Sequence, residues 1–164
     1  MIFLTVGTQF PFDRLVKAVD ETVSKNGLDE QIFAQVGTTT YRPRNFEAVP
    51  ELEKSVFDKY FREADGVISH AGMGCIAMAL ENRKPLLVMP RLKKYGEVVN
   101  DHQVAIAKKF EKPGHLLVAY CKGDLPEKMR QLKTFIPRER ETQPEAVSER
   151  IAQFLKSLSP ARNN

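Results

Sequence analysis

The run His70-Ala71-Gly72-Met73-Gly74 carries the clearest chemical suggestion in the chain. It follows a short apolar β-type run, Gly66–Ser69, and opens a second apolar run, Met73–Glu81, so its glycines fall at a strand-to-helix junction. Glycine lets main chain turn sharply and approach a ligand closely. The unpartnered N–H groups of a helix start, reinforced by the helix dipole, then make an anion site. Ser69 and His70 add polar side chains at the same junction. The competing account is a tight turn whose histidine is satisfied by backbone, and the residues leave both accounts open. The spacing is not GxGxxG, so there is no dinucleotide fingerprint.

Gly7-Thr8-Gln9 follows the first apolar run in the same way. It is either a second anion or sugar contact or an ordinary turn, with Asp13 capping the next helix. Asn100-Asp101-His102-Gln103 opens a further helix, with Asn100 as N-cap and Gln103 three residues on, a capping-box variant. Capping leaves Asp101 and His102 free to face either ligand or water. Upstream, Pro90 to Glu97 reads as a flexible basic loop with Arg91, Lys93 and Lys94, suited to a diphosphate or simply solvated. Other chemistries lack their patterns. The three histidines show no HxH or HExxH spacing, and there is no DxD, GxSxG or Walker A sequence, so no metal site is expected. His115, after Pro113-Gly114, reads as a turn residue.

These segments need a scaffold. The chain has 164 residues, 42% hydrophobic and 28% charged, enough for one globular domain. A net charge of +4 suits an anionic ligand but is too sparse for a dedicated nucleic-acid binder. Cys75 and Cys121 form no CxxC pair and read as reduced thiols; with no signal peptide and no run of transmembrane length, a cytoplasmic chain is expected.

Strand-type runs at Ile2–Val6, Gln31–Val36, Gly66–Ser69, Pro85–Pro90 and Leu116–Ala119 alternate with helical patterns at Asp13–Ser24, Leu52–Glu63, Met73–Glu81, Asp101–Glu111 and Leu125–Leu132. A short strand at Asn45–Val49 could lie within the loop Gly37–Pro50. Met73–Glu81 is apolar all round and is expected to be buried. Thr134–Pro144 reads as a linker into an amphipathic helix, Glu145–Leu158, and 159–164 as a frayed tail. The alternation predicts an α/β fold, a Rossmann-like doubly wound parallel sheet forming a single domain over 1–158. Ligands of such sheets bind beyond the carboxyl ends of the strands, where the loops above fall.

VISHAGMGCIAMAL (Val67–Leu80), KPLLVMPR (Lys84–Arg91), GEVVNDHQ (Gly96–Gln103) and the opening MIFLTVGTQFPFDRL together resemble glycosyltransferase family 28 C-terminal domains. Within them, the likeness is to small donor-binding subunits of two-part UDP-sugar transferases, of the dolichol-linked N-acetylglucosamine transferase and bacterial exopolysaccharide types. The resemblance runs from Met1 to about Phe110. It implies a single GT-B half that binds a UDP-sugar, with no cofactor and no metal. On the family pattern Ser69, His70, Ala71, Gly72, Met73 and Gly74 meet the diphosphate and nucleotide. Gly7, Thr8 and Gln9 approach the diphosphate or sugar. Asp101, His102 and Gln103 meet sugar hydroxyls or order the pocket, and Arg91 adds a phosphate contact. His70 is the candidate catalytic side chain, with the general base supplied by a partner. That partner would be a membrane-attached, acceptor-binding subunit that recruits the chain to the cytoplasmic face of the membrane. Two positions depart from the pattern: Met78 stands where many relatives carry a ribose-binding glutamate, and Cys75 where they carry serine or threonine.

The leading expectation is therefore a hexosyltransferase-type subunit acting from a UDP-sugar onto a lipid-linked or polysaccharide acceptor. The alternative is a non-catalytic nucleotide-binding or regulatory module with the same pocket. A small Rossmann oxidoreductase is disfavoured by the missing fingerprint. A homo-oligomer is left open.

Overall fold

The structure, a computed structural model, describes residues 1–26, 30–139 and 153. Its elements run β1 (Ile2–Thr5), α1 (Asp13–Asn26), β2 (Ile32–Gln35), β3 (Glu47–Val49), α2 (Lys54–Glu63), β4 (Gly66–His70), α3 (Met73–Glu81), β5 (Leu86–Met89), α4 (His102–Glu111), β6 (Leu117–Val118) and α5 (Leu125–Leu132). Among the described residues the strands form one six-stranded sheet in the order β3-β2-β1-β4-β5-β6, every pair parallel. This is the doubly wound Rossmann order, in which the direction of winding reverses between β1 and β4.

The strands read as continuous apolar runs because both faces of the sheet are covered, and alternation decides which side each residue serves. Ile2, Leu4 and Val6 join Leu15, Val16 and Val19 of α1 and Leu125, Met129 and Leu132 of α5 in one core. Phe3 points the other way, to Phe61 of α2, Ile76 and Ala79 of α3 and Ala107 of α4. That second core is aromatic at one end, where Phe33 and Tyr60 stack with ring centroids 4.2 Å apart and Phe57 meets Phe3 edge-on at 5.3 Å. Buried Thr5 donates to Gln35 Oε1 across the β1–β2 pair at 2.6 Å, which satisfies two polar side chains inside the sheet.

Several boundaries differ from expectation for identifiable reasons. The short strand in the Gly37–Pro50 loop forms the sheet edge as β3, paired with β2 from Phe33 to Gln35. β5 stops inside its flanking prolines, which have no N–H to give. α3 is not buried as a whole: only Ile76 and Ala79 are, because one face suffices to cover the sheet. Its other side, with Ala77 and Leu80, lines a cavity of about 310 Å³ shared with Arg83 and Pro137–Glu139. Those last residues belong to the expected linker, and its described part folds back on the domain. Arg138 N–H donates to Gly114 O at 3.0 Å, and Glu139 pairs with Arg83 at 2.8 Å. The expected helix at 145–158 and the tail at 159–164 fall outside the described residues, apart from Gln153, which is helical.

Candidate functional site

β1 and β4 are neighbours, so the loops that follow them meet at the switch point of the sheet. The contact between them is made by His70. Its ring fills the space above Gly7 and Gly72: a Cβ on Gly7 would lie 3.0 Å from Cε1, and one on Gly72 would lie 2.2 Å from Nε2. Gly7 also has φ +74°, a backbone that favours glycine in its own right. Gly72 has φ −93°, so there the requirement is space alone.

Gly72 is the N-cap residue of α3, its N–H bonded to His70 O at 2.8 Å and its carbonyl accepting from Ile76 N–H at 3.1 Å. Among the described residues no side chain caps α3, and no acidic residue stands in its first turn. Its leading N–H groups and the positive end of its dipole are thus presented at the cleft, with Met73 and Gly74 exposed beside them. The neighbouring start of α1 is different. Asp13 occupies its first turn and accepts from Thr40 N–H and hydroxyl and from Tyr41 N–H. Of the two helix starts bordering the switch point, an anion fits α3 and is repelled from α1.

His70 is neutral. Burial, seconded by the nearby charge of Arg91, pushes its pKa down to about 4. Its Nδ1 lies 3.3 Å from the hydroxyl of Ser69, itself fully buried together with Ala71. In this setting His70 holds the two loops at their spacing and offers no positive charge to a phosphate. Burial pushes the Cys75 thiol up, partly offset by a hydrogen bond with Ser69. Thr8 and Gln9 are exposed at the tip of the β1–α1 loop.

Arg91 departs from the flexible, solvated loop that its neighbours suggest. It is 3% exposed, and its NH2 donates to Val6 O at 2.8 Å and Phe10 O at 2.6 Å, bracing the β1–α1 loop from within. Its guanidinium lies over the Phe12 ring at 4.9 Å, and among the described residues its Nε has no hydrogen-bond partner. It therefore supplies a buried positive charge under the cleft, not a mobile arm reaching into it.

The α4 motif divides. Gln103 is buried and accepts the Arg91 N–H at 3.0 Å, so it fixes β5 to α4 and does not cap the helix. Asp101, not Asn100, is the N-cap residue; its carboxylate takes Lys93 N–H at 2.7 Å, while Asn100 Oδ1 accepts His102 N–H at 3.1 Å. Asp101 and His102 are exposed, and among the described residues no hydrogen bond joins either to Gly7, His70 or Gly72. Met78 packs half-buried against the second core. His115 is a turn residue, its Nδ1 2.8 Å from Arg138 O.

The sequence reading missed Arg14, Asp20 and Glu97. Asp20 is the most legible of them, a charge on the apolar stripe of α1 beside Val16, Val19 and Val23. Its carboxylate gathers Tyr41 hydroxyl and the N–H groups of Arg44 and Asn45, which shapes the loop after β2. Among the described residues no cluster of three His, Cys, Asp or Glu could hold a metal ion, and no helix is long and apolar enough to cross a membrane.

The description of the glycosyltransferase family 28 C-terminal domain matches residues 1–158. The chain belongs to this family. It is 33% identical over 134 residues to the human UDP-N-acetylglucosamine transferase subunit ALG13, covering 74% of the chain, and 35% identical over 133 residues to the mouse protein of that name, covering 73%. The chain spans only 11% of the length of either relative. Among solved structures, MurG of Acinetobacter baumannii aligns with TM-score 0.62 at 18% identity, over 92% of this chain and 49% of that one. The solution structure of ALG13 aligns with TM-score 0.60 at 18% identity, over 94% and 96%. At those identities the structures speak for the fold, a Rossmann-like GT-B half, which the family 28 membership and the strand order share.

Proposed function

We propose that this family 28 domain is the donor-binding part of a glycosyltransferase that moves a sugar from a UDP-sugar to a lipid-linked or polysaccharide acceptor. The observation that carries the reading is the uncapped, acid-free start of α3, held against the Gly7–Gln9 loop by neutral His70 with Arg91 buried beneath. Main-chain N–H groups of that start would take the diphosphate and stabilise the UDP that departs, without a metal. UDP-N-acetylglucosamine is the first donor to try, since the curated relatives are named as subunits of its transferase.

Because the curated relatives are named as subunits, the reading includes a membrane-attached partner that binds acceptor, supplies the general base and brings this chain to the cytoplasmic face of the membrane. A second reading, a nucleotide-binding module without catalysis, draws on Met78 packing into the core where a ribose contact is expected.

The test is calorimetric titration of the purified chain with UDP, UDP-N-acetylglucosamine, other UDP-sugars and NAD. UDP binding that vanishes in Gly74→Asp, which sets a carboxylate in the first turn of α3 where a Cβ meets no neighbour, supports the donor site. NAD binding without UDP binding overturns it. Sugar transfer that appears only on co-expression with the acceptor-binding partner separates the subunit from the silent module.

A further inference from the structure

We propose that Glu97 is a positioning residue for the cleft, acting through Arg14; the proposal rests on the donor-site reading above. Gly96, with φ +70°, turns the chain after the short 93–95 turn and sends Glu97 back against α1. There one carboxylate oxygen accepts Arg14 Nε at 2.8 Å. The other accepts Arg14 NH2 at 2.8 Å and Leu92 N–H at 2.9 Å. The pair is largely shielded, with side chains 19% and 10% exposed, so its fork geometry is little diluted by solvent.

Arg14 continues the link. Its NH2 also donates to Pro90 O at 2.8 Å, and its guanidinium lies 5.2 Å from the Phe12 ring centre and 4.9 Å from that of Tyr95. Arg91 lies over the same Phe12 ring and holds Val6 O and Phe10 O. The loops after β1 and after β5 are thus joined by two arginines gathered on one phenylalanine. Glu97 is the carboxylate paired with the first guanidinium, and its charge also supports the second against burial. Without Glu97 two like charges share one ring, and the fork that ties residues 90–97 to the start of α1 is gone. The β1–α1 loop, which carries Gly7, Thr8 and Gln9, then loses its fixed relation to α3. Glu97 touches no substrate in this account; it sets where the diphosphate contacts stand.

The experiment is an NMR titration of wild type, Glu97→Gln and Glu97→Asp with UDP and with uridine, together with amide exchange of Gly7–Phe10 and Leu92. Glu97→Gln keeps the shape and removes the charge. Its UDP affinity is expected to fall about tenfold with uridine affinity unchanged, its loop amides to exchange faster, and Glu97→Asp to recover part of both. Equal losses for UDP and uridine would show a general structural role and overturn the proposal, as would wild-type UDP affinity and exchange in Glu97→Gln. Should wild type itself bind no UDP, the donor-site reading fails. The loop exchange of Glu97→Gln and Glu97→Asp then decides the coupling between the loops by itself: unchanged exchange overturns it.

Discussion

His70 occupies the volume that any side chain at Gly72 would need, its Nε2 only 2.2 Å from where a Cβ would stand. Because Gly72 has an ordinary φ, the conflict is with the ring and not with the backbone. Gly72→Ala is expected to destabilise the chain by about 1–3 kcal/mol through overpacking and to abolish UDP binding. In a His70→Ala background the same substitution should cost under about 0.5 kcal/mol, since its obstacle is gone. Denaturant midpoints of the four chains complete this double-mutant cycle, and additive costs would sink the argument.

The neutral ring gives a pH signature. An unfolded histidine takes up a proton near pH 6.5, whereas His70 in the fold does so only near 4. The unfolded chain therefore binds the extra proton in that window. The stability tied to His70 is complete above pH 6.5 and declines by about 3 kcal/mol as pH falls to 4. Urea unfolding at steps between pH 7 and 4 should show this slope in wild type and a flatter one in His70→Gln. The depressed carboxylates of Asp13 and Asp20 titrate below the window and are common to both chains.

Asp20 is the anchor of the loop after β2. Burial works to raise its pKa but is outweighed by the N–H groups of Asn45 and Arg44, the Tyr41 hydroxyl and the Asn45 amide, and the group stays below the usual carboxylate range. Asp20→Ala leaves those donors without their acceptor and is expected to cost about 3 kcal/mol, read as a lower urea midpoint at constant m-value. A loss under about 1 kcal/mol would mean water replaces the carboxylate.

The two thiols should separate by reactivity. Cys121 is exposed, while burial pushes the Cys75 thiol up and away from the reactive thiolate. Maleimide should label the native chain once, at Cys121, and twice after unfolding, as counted by mass spectrometry. Fast native labelling of Cys75 would contradict the packing around Ser69.

How much of this the sequence discloses depends on the range of the interaction. Continuous apolar runs such as Leu86–Met89 reveal a doubly covered strand, and the Gly7 and Gly72 loops fall where strand ends must lie. The reason Gly72 is glycine is not legible, because the His70 ring meets it only once the turn exists. Arg91 looks like a surface cation beside Lys93 and Lys94; burial follows from carbonyls supplied by Val6 and Phe10, far back in the chain. Gln103 fits a capping pattern locally, yet the Arg91 N–H claims its carbonyl instead. The Arg14–Glu97 fork spans 83 positions and leaves no local trace.

The central place of β1 also bears on synthesis. Ile2–Thr5 can pair with Ile32–Gln35 early, but its other edge waits for Gly66–Ser69. The brace under the cleft waits longer still, until Arg91 and Gln103 have left the ribosome. A nascent chain shorter than that exposes an unpaired strand edge of apolar residues and cannot yet hold a nucleotide, which makes the interval one for chaperone protection.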